Sequence, residues 1–210
     1  MKTIYLNEQT EPLVPSVATI GFFDGVHRGH QYLISQVRQE ATRSGLSSLV
    51  VTFDRHPRQV LRQDYQPELL STLDAKILLL SKTGVDATAL LHFDREMASL
   101  SARDFMARVL RDRLNVRKLI IGYDNRFGHN RTEGFDDYVR YGHELGIEVI
   151  HNAAFVMGGV NISSSVVRAL VKEGEIELAN RCLGYDYTIA GTVVDGHKEG
   201  RRLGFPTANL

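Results

Sequence analysis

The chain has 210 residues, 25 basic against 25 acidic side chains and a hydrophobic fraction of 43%. A chain of this length buries roughly 70% of its unfolded surface, so it can build a core without disulfides or metals, and disordered, collagen-like and mucin-like classes are excluded by composition. A formal net charge of zero argues against a protein that binds by blanketing nucleic acid or an anionic membrane, because that needs a basic surplus.

The N-terminus, Met1 to Glu8, lacks the apolar run of a signal peptide, and no later stretch approaches the ~18 apolar residues of a membrane span. Cys182 is the single cysteine, so no intramolecular bridge is available and cytoplasm is the expected location.

The first expected strand, Val17 to Phe22, runs into Gly21-Phe22-Phe23-Asp24-Gly25-Val26-His27-Arg28-Gly29-His30, and a helix is expected over Gly29 to Arg43. If the helix begins near His27, the His27 and His30 imidazoles share one face at i and i+3. Free N–H groups at a helix start favour an anion, and glycines let a phosphate come close. The stretch therefore reads as a nucleotide phosphate grip, with His27 and His30 as catalytic candidates and Gly21, Phe23, Asp24, Gly25 and Gly29 beside the phosphates. Two surface loop histidines are the plainer alternative. Asp24 is open to two roles, a magnesium ligand or a cap of the turn before His27. The absence of a Gly-Lys dipeptide excludes a Walker A loop, and no Cys or third His stands at zinc-ligand spacing.

The second expected strand, Ser48 to Phe53, ends in Phe53-Asp54-Arg55-His56-Pro57, which by itself reads as a turn fixed by Pro57. A helix over Asp74 to Lys82 and a strand over Ala87 to His92 follow. Ser101 and Asp104 form a capping pair for a helix over Ala102 to Leu114. A strand over Lys118 to Gly122 feeds Gly122-Tyr123-Asp124-Asn125-Arg126-Phe127-Gly128, a polar loop suited to a planar ring or a phosphate. Next come a helix over Phe135 to Leu145 and a strand over Glu148 to His151. Ile162-Ser163-Ser164-Ser165-Val166-Val167-Arg168 opens a helix to about Glu173, with hydroxyls to cap it or bind phosphate and an arginine to reach the same anion. A short helix over Glu175 to Cys182 precedes a new β-type segment, Thr188 to Val194.

Near-continuously apolar strands alternating with amphipathic helices predict an α/β fold, an open, mostly parallel sheet with helices on both faces in the Rossmann-like manner. Ligands of such sheets sit at the carboxyl ends of the strands, so the four polar motifs at strand ends form one site.

In order and spacing, Gly21 to His30, Phe53 to Pro57, Gly122 to Gly128, Ile162 to Arg168 and Gly200-Arg201-Arg202-Leu203-Gly204-Phe205-Pro206-Thr207-Ala208-Asn209 resemble the prokaryotic bifunctional riboflavin kinase/FAD synthetase family. The resemblance implies a nucleotidylyltransferase that moves AMP from ATP to FMN with Mg²⁺. It implies that His27 and His30 hold ATP phosphates, that Ser163, Ser164 and Arg168 grip pyrophosphate, and that His56, Pro57, Asp124, Arg126 and Phe127 line the flavin side. Phe22 stands where Asn is frequent, Arg55 where Pro is, Ser165 where Thr is, and Asn125 where Phe is.

On this reading residues 1–184 form the FMN adenylyltransferase module and residues 185–210 open a riboflavin kinase module followed as far as Leu210, with Thr207 and Asn209 from its ATP-magnesium motif. This chain should adenylylate FMN, and phosphorylation of riboflavin should need a longer form. A related nucleotidylyltransferase acting on another phosphate and a non-catalytic flavin- or nucleotide-binding module remain the alternatives. The expected partners are small molecules, without nucleic acid or membrane; magnesium ligands and oligomeric state are not set by the sequence.

Overall fold

The computed structural model describes residues 1–6, 13–61, 64, 66–123, 125–129, 132–194, 196–197, 199–202 and 204–205. The first half runs β1 (Lys2–Tyr5), β2 (Ser16–Ile20), α1 (Arg28–Ser44), β3 (Ser47–Phe53), α2 (Pro57–Leu61), α3 (Leu73–Ser81) and β4 (Ala87–Leu91). After α4 (Arg95–Ser99) and α5 (Ala102–Asp104) come β5 (Val116–Ile121), α6 (Phe135–Leu145), β6 (Glu148–His151), β7 (Val156–Met157) and β8 (Val160–Asn161). The last helices are α7 (Ser164–Lys172), α8 (Ile176–Leu183) and α9 (Glu199–Arg202).

Six strands form one parallel sheet in the order β1-β4-β3-β2-β5-β6. The apolar runs of β2 and β3 are buried along nearly their whole length, as strands covered on both faces must be. On one face Ala18, Ile20, Val51, Leu91 and Leu119 pack with Met106, Leu110 and Tyr138. On the other, Val17, Val50 and Ile120 meet Ile34, Val37 and Leu80 from α1 and α3. Truncating a fully buried member such as Leu119 to Ala would cost about 2–5 kcal/mol. A third cluster joins Leu70 and Ile162 to Val167, Ala179 and Leu183, seating α7 and α8.

The chain leaves β2 for β3 and β4 on one side and comes back for β5 and β6 on the other. The crevice at the carboxyl ends of β2 and β5 is thus the switch point at which open parallel sheets bind ligands. Both the Gly21 to His30 stretch and the Gly122 to Gly128 loop start there.

Three differences from expectation have physical causes. β1 escapes the pattern because Ile4 is its only buried residue, as suits an edge strand. The helix expected over Ala102 to Leu114 is α-helical only at its start and continues as a π-helical run, Phe105–Arg113, closed by Leu114 N–H donating to the Val109 carbonyl at 3.0 Å. The β-type segment Thr188 to Val194 builds no strand: only Val194 joins an isolated bridge, and Ile189 and Val193 are exposed. A lone extended segment has no ladder to satisfy its backbone groups. Thr207 and Asn209 lie outside the described residues.

Candidate active site

The first wall of the cleft is a strained loop. Phe23, Gly25 and Val26 all have positive φ, at 56°, 70° and 37°, a region that costs a side-chain-bearing residue about 1–3 kcal/mol. Surrounding contacts hold it there. The Asp24 carboxylate accepts from the Leu70 N–H at 2.9 Å and the Ser71 N–H at 3.2 Å, and the Gly25 N–H donates to Ser71 Oγ at 3.1 Å. At Gly25 a Cβ would stand 2.9 Å from the Leu70 side chain, so glycine is required by both φ and space.

That loop delivers His27 as the N-cap of α1, its Nδ1 accepting from the His30 N–H at 3.4 Å. A neutral His27 thus carries its proton on Nε2. The His30 ring stacks on His27 with centroids 3.6 Å apart and planes 21° from parallel, and Phe23 meets it in a T-shaped contact at 5.0 Å. Buried His30 Nδ1 has no hydrogen-bond partner among the described residues. Burial, followed by Arg168, pulls the His27 pKa from 6.5 to about 4. Burial, followed by His27 and Lys76, holds His30 well below 6.5. Both imidazoles are neutral at neutral pH, chiefly through burial, with Arg168 near His27 and Lys76 near His30 adding to the effect, and an arriving anion would favour their charged forms.

The opposite wall is the start of α7. Ser163 caps it, its Oγ accepting from the Val166 N–H at 3.4 Å, while Ser164 Oγ donates to the Asp24 carbonyl at 3.0 Å. Arg168 is turned toward the same loop by a 2.8 Å ion pair with Asp24 Oδ2. Asp24, expected among the phosphate-binding residues, therefore has its carboxylate committed to two backbone amides and one guanidinium. Its pKa is raised because burial outweighs the lowering by Leu70, Arg168, Ser71 and Lys76. Gly29 lets the two walls approach, since a Cβ there would lie 3.0 Å from the Ile162 carbonyl oxygen and 3.1 Å from the His27 ring.

Gly21, Phe23, Asp24, His27, Gly29, His30, Ser163, Ser164 and Arg168 all border one cleft of about 440 Å³, together with His56 and Arg126 from the expected flavin side. Such a volume is in the range of small-molecule sites. Two helix starts, α1 and α7, open onto it. Three residues depart from the expected lining. Gly25 is buried behind the loop, accepting at its carbonyl from the Tyr185 hydroxyl at 2.5 Å. Pro57 begins α2 and is not on the cleft surface. Phe127 is a core residue, stacked on Tyr138 at 4.3 Å, because the apolar wall beneath its loop is a better environment for a ring than the polar cleft. Asp124 lies outside the described residues.

The structure adds residues that the motifs did not single out. Asn152, Ala153, Ala154 and Phe155 follow β6 onto the cleft, and their place just past a strand's carboxyl end was the available signal. Tyr123 presents an exposed ring parallel to His151 at 6.3 Å. Phe22 and Asn125, two of the departures noted above, both line the cleft. The Asn125 amide donates to the Ile20 carbonyl, and the Phe22 ring meets His56 edge-on at 4.8 Å.

The sequence model of the FAD synthetase family matches residues 9–166. The chain belongs to the FAD synthetase family. A riboflavin kinase model matches residues 183–210. The bifunctional riboflavin kinase/FMN adenylyltransferase of Escherichia coli (strain K12) is 37% identical over 204 residues, 97% of this chain and 65% of the relative. The enzyme of the same name from Listeria monocytogenes is 38% identical over 217 residues, 100% of this chain and 68% of the relative. This FAD synthetase family member thus spans just under two thirds of the Escherichia coli relative's length. A crystal structure described as a macrolide-efflux protein from Streptococcus pneumoniae superposes with a TM-score of 0.87 at 30% identity, covering 100% of this chain and 69% of that one. No described helix of the present chain is long and apolar enough to cross a membrane.

Proposed function

We propose that the cleft transfers the adenylyl group of ATP to the phosphate of FMN, giving FAD and pyrophosphate. The observation that carries this reading is the convergence of His27, His30, Arg168 and the starts of α1 and α7 on one cleft at the sheet's switch point. The names of the relatives, which pair FMN with adenylyl transfer, support FMN as the acceptor.

A phosphate monoester with a second pKa of about 6 is largely dianionic at neutral pH, so the attacking oxygen needs no general base. It forms a bond to the α-phosphorus while the bond to the bridging oxygen breaks and pyrophosphate departs with the electron pair. What the chain must supply is alignment and neutralisation of charge. The His27 Nε2–H, free helix-start amides and the Arg168 guanidinium are donors without being acids that must first lose a proton. Asp24 fixes the arginine's direction, and the strained turn fixes the histidines.

Mg²⁺ accompanies ATP in the expected chemistry. Among the described residues no group of three or more His, Cys, Asp or Glu could hold a metal ion, and the Asp24 carboxylate is already committed. Mg²⁺ needs only one or two protein carboxylates beside substrate phosphates and water, so the ion would enter with ATP, and none of the steps above is routed through it.

The proposed boundary between the adenylyltransferase module and the kinase-like stretch falls at residue 184, just beyond α8, and cytoplasm is the proposed location. Incubation with ATP and a panel of FMN, phosphopantetheine, nicotinamide mononucleotide and riboflavin tests the assignment. FAD and pyrophosphate from FMN alone is the expected result. Preference for another phosphate, or binding without pyrophosphate release, would replace it by one of the alternatives.

A further inference from the structure

Behind the cleft wall lies a charged group that the mechanism above leaves idle. Lys76 of α3 is 3% exposed. Its ammonium donates to the Phe53 carbonyl at 2.8 Å and to the Phe22 carbonyl at 3.2 Å, and it stands 4.0 Å from the centroid of the Phe22 ring. That ring meets His56 edge-on at 4.8 Å. Phe22 lies at the entry of the loop that carries His27 and His30. Phe53 ends β3 and begins the turn that carries His56. One ammonium therefore ties together the backbones of two loops that both border the cleft.

Keeping a cation there is costly, because a buried ammonium loses its hydration and an apolar side chain of similar volume is often neutral or stabilising in such a place. Burial pulls the Lys76 pKa from 10.5 to about 8, against the raising effect of Asp24 and Asp54. Lysine has three donors and a flexible stem; two carbonyls and one aromatic face use them. The arrangement suits a part whose task is registry between two substrates.

We infer that Lys76 is a positioning residue for adenylyl transfer, its ammonium setting the spacing between the nucleotide loop at Phe22 and the acceptor-side turn at Phe53 to His56. The inference rests on the reading in the preceding subsection. Misplacement of reacting groups by about 1 Å can cost about 10²-fold in rate, so the loss should fall on kcat while each substrate still binds.

The test compares wild type with Lys76→Met and Lys76→Arg, measuring urea stability, equilibrium binding of ATP and of FMN separately, and kcat for FAD formation. Lys76→Met should fold, bind each substrate within about threefold of wild type and lose at least about tenfold in kcat, with Lys76→Arg recovering part of that loss. Wild-type kcat should also fall as pH rises through about 8, a limb absent from Lys76→Met. The other groups facing this position, Asp24 on the strained loop, His30 on α1 and Asp54 and His56 after β3, are common to both proteins. Should Lys76→Met fail to fold, Lys76→Gln keeps a neutral donor on a shorter stem that cannot span both carbonyls, and a fall in kcat with both substrates still bound supports the same conclusion. A folded Lys76→Met with wild-type kcat, or a Lys76→Gln with wild-type kcat where Lys76→Met does not fold, overturns the inference alone. Absence of FAD from the wild type overturns the adenylyl-transfer reading and this inference with it.

Discussion

His27→Asn separates the histidine's work as a helix cap from its work as a titrating group. Asparagine is a favoured N-cap, so an acceptor for the His30 N–H, now His27 Nδ1 at 3.4 Å, remains while the imidazole is removed. In the folded protein burial and Arg168 hold the His27 pKa at about 4, against 6.5 for the free group. As pH falls below 6.5, the unfolded chain takes up a proton that the folded chain refuses, so stability drops until the folded imidazole titrates near 4. At about 1.36 kcal/mol per pH unit this window is worth about 3 kcal/mol, a sizeable share of the about 5–15 kcal/mol by which domains are stable. Urea denaturation of wild type and His27→Asn at pH 7, 6, 5 and 4 measures it. The wild type should lose about 3 kcal/mol more than the variant over that range. Parallel stability curves for the two proteins would refute the claim that His27 is held neutral by its surroundings.

The same electrostatics predict that ATP binding at pH 7 takes up protons, because phosphate oxygens favour the charged imidazoles; calorimetry in two buffers of different ionisation enthalpy should give different apparent heats. His30→Ala should lower FAD formation by about 10²-fold or more with the fold intact, as loss of a transition-state donor does, and near-native turnover would remove His30 from the site. Arg168→Ala should weaken ATP or pyrophosphate binding by at least about tenfold, the scale of a charge-assisted hydrogen bond, and unchanged binding of both would contradict the role. Gly128→Ala should destabilise by about 2 kcal/mol or more, since φ is 92° there and a Cβ would stand 2.6 Å from the Ala102 backbone nitrogen; an unchanged urea midpoint would argue against that packing. Phe22→Asn and Asn125→Phe should each reduce activity, and their combination should be better than the two losses multiplied, because the ring and the amide border one cleft.

The parallel sheet was legible because its central strands are buried on both faces and so are written as unbroken apolar runs. The place of the Gly21 to His30 loop on the cleft was legible because glycines and paired histidines stand where a strand hands over to a helix. Less was visible where a side chain's task depends on distant chain. Asp24 and Arg168 are 144 residues apart, and nothing local to either announces the ion pair. Lys76 sits in the sequence Leu73–Ser81 like any solvated helix residue, and only the closing of α3 over β2 and β3 brings its ammonium onto two carbonyls. Phe127, expected on the flavin side, packs into the core instead of lining the cleft: an aromatic beside Arg126 at a strand end suits a ligand or a core equally, and here its ring stacks on Tyr138. The segment Thr188 to Val194 has the composition of a strand, but a strand is a property of a pair.

The central claim is that this cleft moves the α-phosphoryl unit of ATP onto a flavin phosphate. ATP labelled at the α-phosphorus, incubated with FMN and the purified chain, should place its label in FAD one for one with unlabelled pyrophosphate released. Label recovered only in free AMP or unreacted ATP, with FMN unchanged, would contradict it.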